Sequence, residues 1–422
     1  MISKRNIMSA AVFALLVSTT GANAAEISVY CQNIAVGCGS LEPIAKAFEK
    51  ENPGTTVRLE VVNYQTILES LPIQLESGKG PDAAIVTDLG GLARYYLDMA
   101  PYVDANLLEK EYGSLLAWLR GADPSGKSIN GVPLTMTVNG AYVNATLFDQ
   151  AGIPLPKDDA TWEDWAKASR DVAKATGVDF PMEMDRSGHR FSSLAISYGA
   201  QLVDDNGNPV VDEGLKKAIE QFVAWHKDGT MPMDLWGAVG GATHRELFSD
   251  FLNAKTVFYF GGSWTIGQMD RDVGELFDWR VVPTPCGPSS CTAMPGGSAL
   301  VGFKSSAHPE IVGKFLGYVA KPENLAALVV ASKEIPTAKS LVEKGIKYEG
   351  ASERTQASLA TFTAQISKMA PAAYRFQGWR FQRAMMNAMT TRVSQVLNDE
   401  LDVDTALARI KQDVELAMKA GK

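Results

Sequence analysis

The chain has 422 residues, with 40 Lys and Arg against 48 Asp and Glu, and a formal net charge of −8. That acidic balance argues against nucleic acid or anionic lipid as the main partner, and the length exceeds what one hydrophobic core usually supports, so two lobes are expected. Hydrophobic content of 46 %, with no low-complexity tract, repeat or long charge run, excludes disorder as the organising theme.

Lys4 and Arg5 open a basic segment, Ile7 to Val17 is a nearly unbroken apolar run, and Ala22-Asn23-Ala24 supplies a small-x-small pattern. In that order these are the parts of a secretory signal peptide. The apolar run is too short to cross a bilayer, which takes about 20 residues. Residues 1–24 are therefore expected to be removed, the mature chain beginning at Ala25 or Glu26. No lipobox cysteine follows, which points to a Gram-negative periplasm.

The mature chain opens with a strand at Ile27–Tyr30 and a Cys-Gly loop. Ser40 is expected to cap a helix with Leu41, Ile44, Ala45 and Phe48 on its apolar face. Thr56 to Val62 alternates with strand period, a helix runs through Ile67 to Leu75, and Ala83–Val86 reads as a short buried strand. This β-α-β-α-β order is the pattern of a parallel sheet with crossover helices. Beyond Val132, strands are predicted at Asn139–Asn144, Val257–Phe260, Trp279–Pro283 and Ala299–Phe303. Helices are predicted at Trp162–Thr176 after Thr161 and at Gly214–His226, and the chain from Pro309 onward is mostly helical. The fold class is α/β with a helix-rich second half.

The four cysteines are Cys31, Cys38, Cys286 and Cys291. In an oxidising compartment an even count favours disulfides, and four cysteines allow three pairings. The local pairs, Cys31–Cys38 and Cys286–Cys291, are favoured because each closes a small Gly-containing loop. Neither pair has C-x2-C spacing and the histidines lie elsewhere, so no metal site is read here.

Several segments then become familiar in register. They are Gly131-Val132-Pro133, Val138 to Asn144, Leu147 to Ile153 and Thr161-Trp162-Glu163-Asp164-Trp165. Phe251 to Lys255 leads into Gly261-Gly262-Ser263-Trp264, and Gly296-Gly297-Ser298, Glu334-Ile335-Pro336-Thr337 and Val396 to Leu401 follow. Together they resemble the family 1 extracellular solute-binding proteins of bacterial ABC importers, the maltose-binding-protein-like group. The resemblance implies two α/β lobes joined by a hinge that the chain crosses more than once, with the ligand in the cleft. By analogy one lobe spans 26–136 plus 282–332 and the other 137–281 plus 333–422. It also implies a carbohydrate ligand, a membrane permease with a cytoplasmic ATPase behind it, a monomeric binding protein, and no cofactor.

A sugar site needs aromatic rings for apolar sugar faces and carboxylates, amides or arginine for hydroxyls. Such residues are expected at strand ends and loop tips, not on amphipathic helices. Gln32 and Asn33 follow the first strand and either meet ligand or shape the turn. Tyr64 follows the second strand, and Asp88, after the strand ending at Val86, either binds a hydroxyl or caps the next helix. Asn139 matches the family position where the chain enters the second lobe. Trp264 after its glycines is the leading stacking residue, with Trp236 in a Pro/Gly-rich loop as a second. Gly297 and Ser298 offer N–H groups and a hydroxyl. Trp118, Trp162, Trp165 and Trp225, at helical spacings, read as core. Tyr374, Arg375, Trp379 and Arg380 form a cationic–aromatic cluster, either hinge packing or cleft wall. Arg375 and Trp379 are carried as ligand candidates, with Arg186 and His189 as outlying ones. An arginine in the cleft would suit an acidic solute such as glycerol phosphate.

Gly121 to Ser128 matches the G-x4-G-K-S phosphate-loop pattern letter for letter. However, it follows a helix-like stretch and runs into Gly131-Val132-Pro133, so the strand–loop–helix context is missing. A secreted glycosidase is the rival of a different class. The chain has no G-x-S-x-G and no H-E-x-x-H, and the reading adopted is a non-enzyme.

Overall fold

The computed structural model describes residues 25–33, 35–120 and 126–421. The signal-peptide reading, and Gly121–Ser125 of the phosphate-loop pattern, lie outside them.

The described residues form nine strands: β1 (Ala25–Cys31), β2 (Thr55–Val61), β3 (Ala83–Val86), β4 (Val132–Asn144), β5 (Phe180–Met184), β6 (Thr256–Gly262), β7 (Trp279–Val282), β8 (Pro295–Gly302) and β9 (Ile335–Pro336). They run in the order β2-β1-β3-β8-β4-β6-β5, with β7 and β9 also on β4. The pairing β2-β1-β3 is parallel, as the β-α-β-α-β order predicts. β8 enters between β3 and β4 antiparallel to both, so the sheet is mixed.

β4 is the pivot of the architecture. Its first half, Val132 to Val138, pairs with β8, and its second half, Asn139 to Val143, pairs with β6. One strand thereby belongs to two sheets, and two α/β lobes are built on either side of the Val138–Asn139 step. The segment predicted as a strand from Asn139 is thus the far end of a 13-residue strand. After β7, the Cys286 N–H donates to the Ala160 carbonyl and its C=O accepts from Trp162 N–H, beside the second sheet. β9 and Leu341 lie with the first sheet.

Each lobe has its own core. Ile27, Val29, Leu41, Phe48, Phe315 and Leu328 pack beside the first sheet. Trp162, Trp165, Phe191, Phe222, Trp225 and Phe258 pack beside the second. The helix Trp162–Thr176 shows how sequence dictates this. Thr161 Oγ1 accepts from Asp164 N–H at 3.1 Å and Asp164 accepts from Thr161 N–H at 2.9 Å, a reciprocal cap. Gly177, at φ 74°, closes the far end. The residues between them bury Trp162, Trp165, Ala166, Ser169, Val172 and Ala173 at helical spacing. Ser40, by contrast, is not the cap of the first helix. That helix spans Cys38–Glu51, and Ser40 stands in its first turn, accepting from Gly37 N–H at 3.2 Å.

Both local disulfides are present, Cys31–Cys38 and Cys286–Cys291. No helix among the described residues is long and apolar enough to cross a membrane.

Candidate functional site

A cleft of about 820 Å³, its open mouth included, lies between the lobes where β4 passes from one sheet to the other. One wall comes from the first lobe. Gln32, Ala35 and Val36 sit in the loop tied by Cys31–Cys38, Tyr64 follows β2, Thr87 follows β3, Thr135 and Thr137 project from β4, and Gly296, Gly297 and Ser298 lie on β8. The other wall comes from Ser187, His189 and Arg190 at the start of the helix Gly188–Ser197, Glu246, Trp264 after β6, and Gln377, Gln382, Arg383 and Met386.

Close approach of the walls depends on glycine at one place above all. A Cβ at Gly296 would lie 2.6 Å from Thr137 Oγ1 and 3.2 Å from His189 Nε2. At the mouth, the Tyr64 ring meets the His244 ring edge-on at 5.3 Å, joining the two walls. Tyr64 OH is also 2.9 Å from Thr87 Oγ1, and Thr135 Oγ1 is 3.0 Å from Ser298 Oγ.

The aromatic platform is Trp264. Its ring rests against Gly262, where an added Cβ would meet it at 2.0 Å, and the Arg190 guanidinium lies 4.1 Å from its ring centroid. Arg190 is fixed from behind. Its Nη2 is 2.9 Å from the fully buried Asp185, which also accepts from Tyr259 OH at 3.0 Å and Leu247 N–H at 2.9 Å. Burial raises the Asp185 pKa and the Arg190 charge opposes the rise. Burial likewise works against charge on Glu246, yet the hydrogen bond from His244 and the Arg190 charge hold it below its ordinary value. His189 is pushed down to about 3 by burial and then by Arg190, so it is neutral. Its Nε2 donates to the Pro295 carbonyl at 3.0 Å, which leaves Nδ1 as an acceptor.

Of the residues singled out from sequence, Gln32, Tyr64, Trp264, Gly297 and Ser298 line the cleft, and so does His189. Asn33 is exposed beside it without lining it. Asp88 stands behind the wall, its carboxylate accepting from Gly91 N–H at 3.2 Å; burial raises its pKa and the Arg383 charge lowers it. Asn139 is fully buried, and its Nδ2 donates to the His189 carbonyl at 3.1 Å and to Ser193 Oγ at 2.9 Å, holding the His189 turn in place.

Three expectations are corrected. Trp236 is 1 % exposed and packs its ring 4.8 Å from Phe222, with its N–H donated to the Met184 carbonyl at 2.9 Å; it is core. Arg375 is occupied by Asp205 at 2.8 Å, Gln201 at 2.8 Å and the Val203 carbonyl at 3.0 Å. Trp379 donates to the Gly207 carbonyl at 3.0 Å. Those two side chains brace the Gln201–Gly207 loop, away from the cleft. Arg186 and Arg380 are also spent on backbone carbonyls, of Gly241 and Gly421 respectively.

Gln377, Gln382, Arg383 and Met386 escape a sequence reading that looks for ligand contacts at strand ends and loop tips, because they lie on helices, and Arg190 escapes it because the helix Gly188–Ser197 begins inside what reads as a loop. The signal was present: Met386 is i+4 from Gln382 and i+3 from Arg383, which places both beside it on the helix surface.

The family model for bacterial extracellular solute-binding protein matches residues 39–326. A binding protein of Brucella abortus is 23 % identical over 316 residues, covering 72 % of this chain and 74 % of its own. The arabinooligosaccharide-binding protein of Bacillus subtilis is 25 % identical over 299 residues, 66 % of each chain. Among solved structures, the ABC substrate-binding protein of Listeria monocytogenes in complex with cycloalternan superposes with a TM-score of 0.75 at 16 % identity, covering 94 % of this chain and 99 % of its own. With well over half its length matched, the chain belongs to the bacterial extracellular solute-binding protein family.

Proposed function

We propose that the cleft captures a carbohydrate, that closure of the lobes about β4 clamps it, and that the loaded protein delivers it to a membrane permease without chemical turnover. The observation that carries this reading is the composition of the cleft at the junction of the two sheets. One indole platform, Trp264, is surrounded by the hydroxyls of Thr87, Thr135, Thr137, Ser187 and Ser298 and the amides of Gln32, Gln377 and Gln382. An indole covers the apolar face of a sugar ring while hydroxyls and amides exchange hydrogen bonds with its rim. The relatives named for arabinooligosaccharide and cycloalternan support the same class. The leader at residues 1–24 supports a periplasmic site of action for a monomer that meets its permease at the membrane.

The test is a thermal-shift screen of the mature chain, stripped of bound ligand, against sugars, oligosaccharides and polyols. A ligand at 100 times its Kd adds about 2.7 kcal/mol, which raises the melting temperature by a few degrees. The ligand should be recovered intact after incubation. Silence across the panel overturns the carbohydrate reading, and recovery of cleaved products overturns the binding-only role.

A further inference from the structure

The cleft holds two arginines, and their circumstances differ. Arg190 is fully engaged, with two nitrogens on Asp185 at 3.2 and 2.9 Å and a third on Ser187 Oγ at 3.3 Å. Arg383 makes no hydrogen bond or ion pair among the described residues, and its Nε is shielded from water with no partner. Its place does not serve the helix either. It stands in the first turn of Gln382–Leu397, the end of a helix where a cation is disfavoured.

Among the described residues no carboxylate forms an ion pair with it. Glu246 lies 3.5 Å from His244 Nε2 and within reach of the Arg190 charge, and Asp185 is paired with Arg190. Asp88 is near enough for the two charges to interact, but it forms no ion pair with Arg383 and spends a carboxylate oxygen on Gly91 N–H. His189 is neutral. The cleft therefore presents one guanidinium without a hydrogen-bonded or ion-paired partner among the described residues, on the same cavity surface as Trp264. A neutral hydroxyl can accept a hydrogen bond there but brings no charge to the guanidinium, whereas an oxyanion brings both and suits the planar fork of arginine.

We propose that the ligand is an anionic carbohydrate, a sugar whose carboxylate or sulfate ester docks on Arg383. This rests on the carbohydrate reading above. The test is calorimetric titration of the full mature protein with matched sugars that are neutral, carboxylated or sulfated. At least one acidic member should bind about tenfold or more tightly than its neutral counterpart. That preference should shrink as salt is added, collapse in Arg383→Gln and be reduced in Arg383→Lys, which keeps the charge but not the planar fork. The carboxylate and sulfate arms identify which oxyanion is preferred. Melting of the ligand-free variants reports whether each folds. Neutral sugars binding as tightly as both acidic series overturn the anion proposal and leave the carbohydrate reading intact; no binding by any of the three series overturns both. An acidic preference that Arg383→Gln leaves unchanged removes Arg383 as its cause.

Discussion

Two tryptophans show how much a single residue's surroundings decide. Trp264 and Trp236 both follow glycine- or proline-rich stretches and look alike in sequence. One forms a wall of the cleft, and the other is sealed among Phe191, Phe222 and the Met184 carbonyl. Trp264→Ala should weaken sugar binding by about 1–3 kcal/mol with little change in melting temperature, because it removes a contact face and no core. Trp236→Ala should do the reverse, lowering stability by about 3–5 kcal/mol through a core cavity. Denaturant melts and calorimetry on the two variants check the contrast; a matching loss of binding and stability in both would refute it. Strand-end positions were legible for a simple reason. The chain turns there at the edge of the cleft, so Gln32, Tyr64, Trp264, Gly297 and Ser298 could be picked from local pattern alone. Arg375 and Trp379 could not be told from Gln377 and Arg383. All four are polar or aromatic residues around one helix boundary, and only tertiary packing decides which way each faces.

At the scale of elements, the second wall is set by the contact between the helices Gly188–Ser197 and Gln382–Leu397. A Cβ at Gly188 would lie 2.5 Å from the Met386 carbonyl oxygen and 2.6 Å from its Cα. Backbone cannot yield as a flexible side chain does. Gly188→Ala should therefore push the helices apart, costing about 1–3 kcal/mol of stability. It should also weaken ligand binding, since His189, Arg190, Arg383 and Met386 ride on those two turns. Retained affinity in a destabilised Gly188→Ala would show that the wall tolerates the shift. Element types were largely readable, Trp162–Thr176 and Ala83–Val86 to the residue, because capping and burial patterns are local. The span of β4 was not. Val132 to Asn144 changes partner midway, and nothing in its own residues announces that one strand serves two sheets.

Across the whole molecule, buried ionisable groups shape the response to pH. Glu334, beside β9, is fully buried with neither carboxylate oxygen hydrogen-bonded, and burial raises its pKa to about 8. The unfolded chain releases this proton near the ordinary value of 4.5. As pH rises from there toward about 8, the folded state holds a proton that the unfolded state has lost, so stability falls. Glu183, raised to about 8 by burial, adds to the same slope. His189 acts in the opposite sense, its pKa of about 3 against an ordinary 6.5 removing stability as pH falls below 6.5. Glu334→Gln should flatten the decline between pH 5 and 8 in melts across that range, leaving the part due to Glu183; an unchanged slope would exclude Glu334 as a source.

The strand order also sets a timetable for assembly. β8 separates β3 from β4, so the first sheet cannot close until the chain has been made as far as Gly302, although its opening strand starts at Ala25. The second sheet has all its strands by Val282, yet its core still waits for Phe376, Met385, Val393 and Ile410. No contiguous stretch contains a finished lobe, and much of the pairing is between residues far apart in sequence, which slows folding. A nascent chain with this connectivity stays unfinished until nearly all of it exists, a property that suits threading through a translocation pore and leaves truncated products with no native half to settle into.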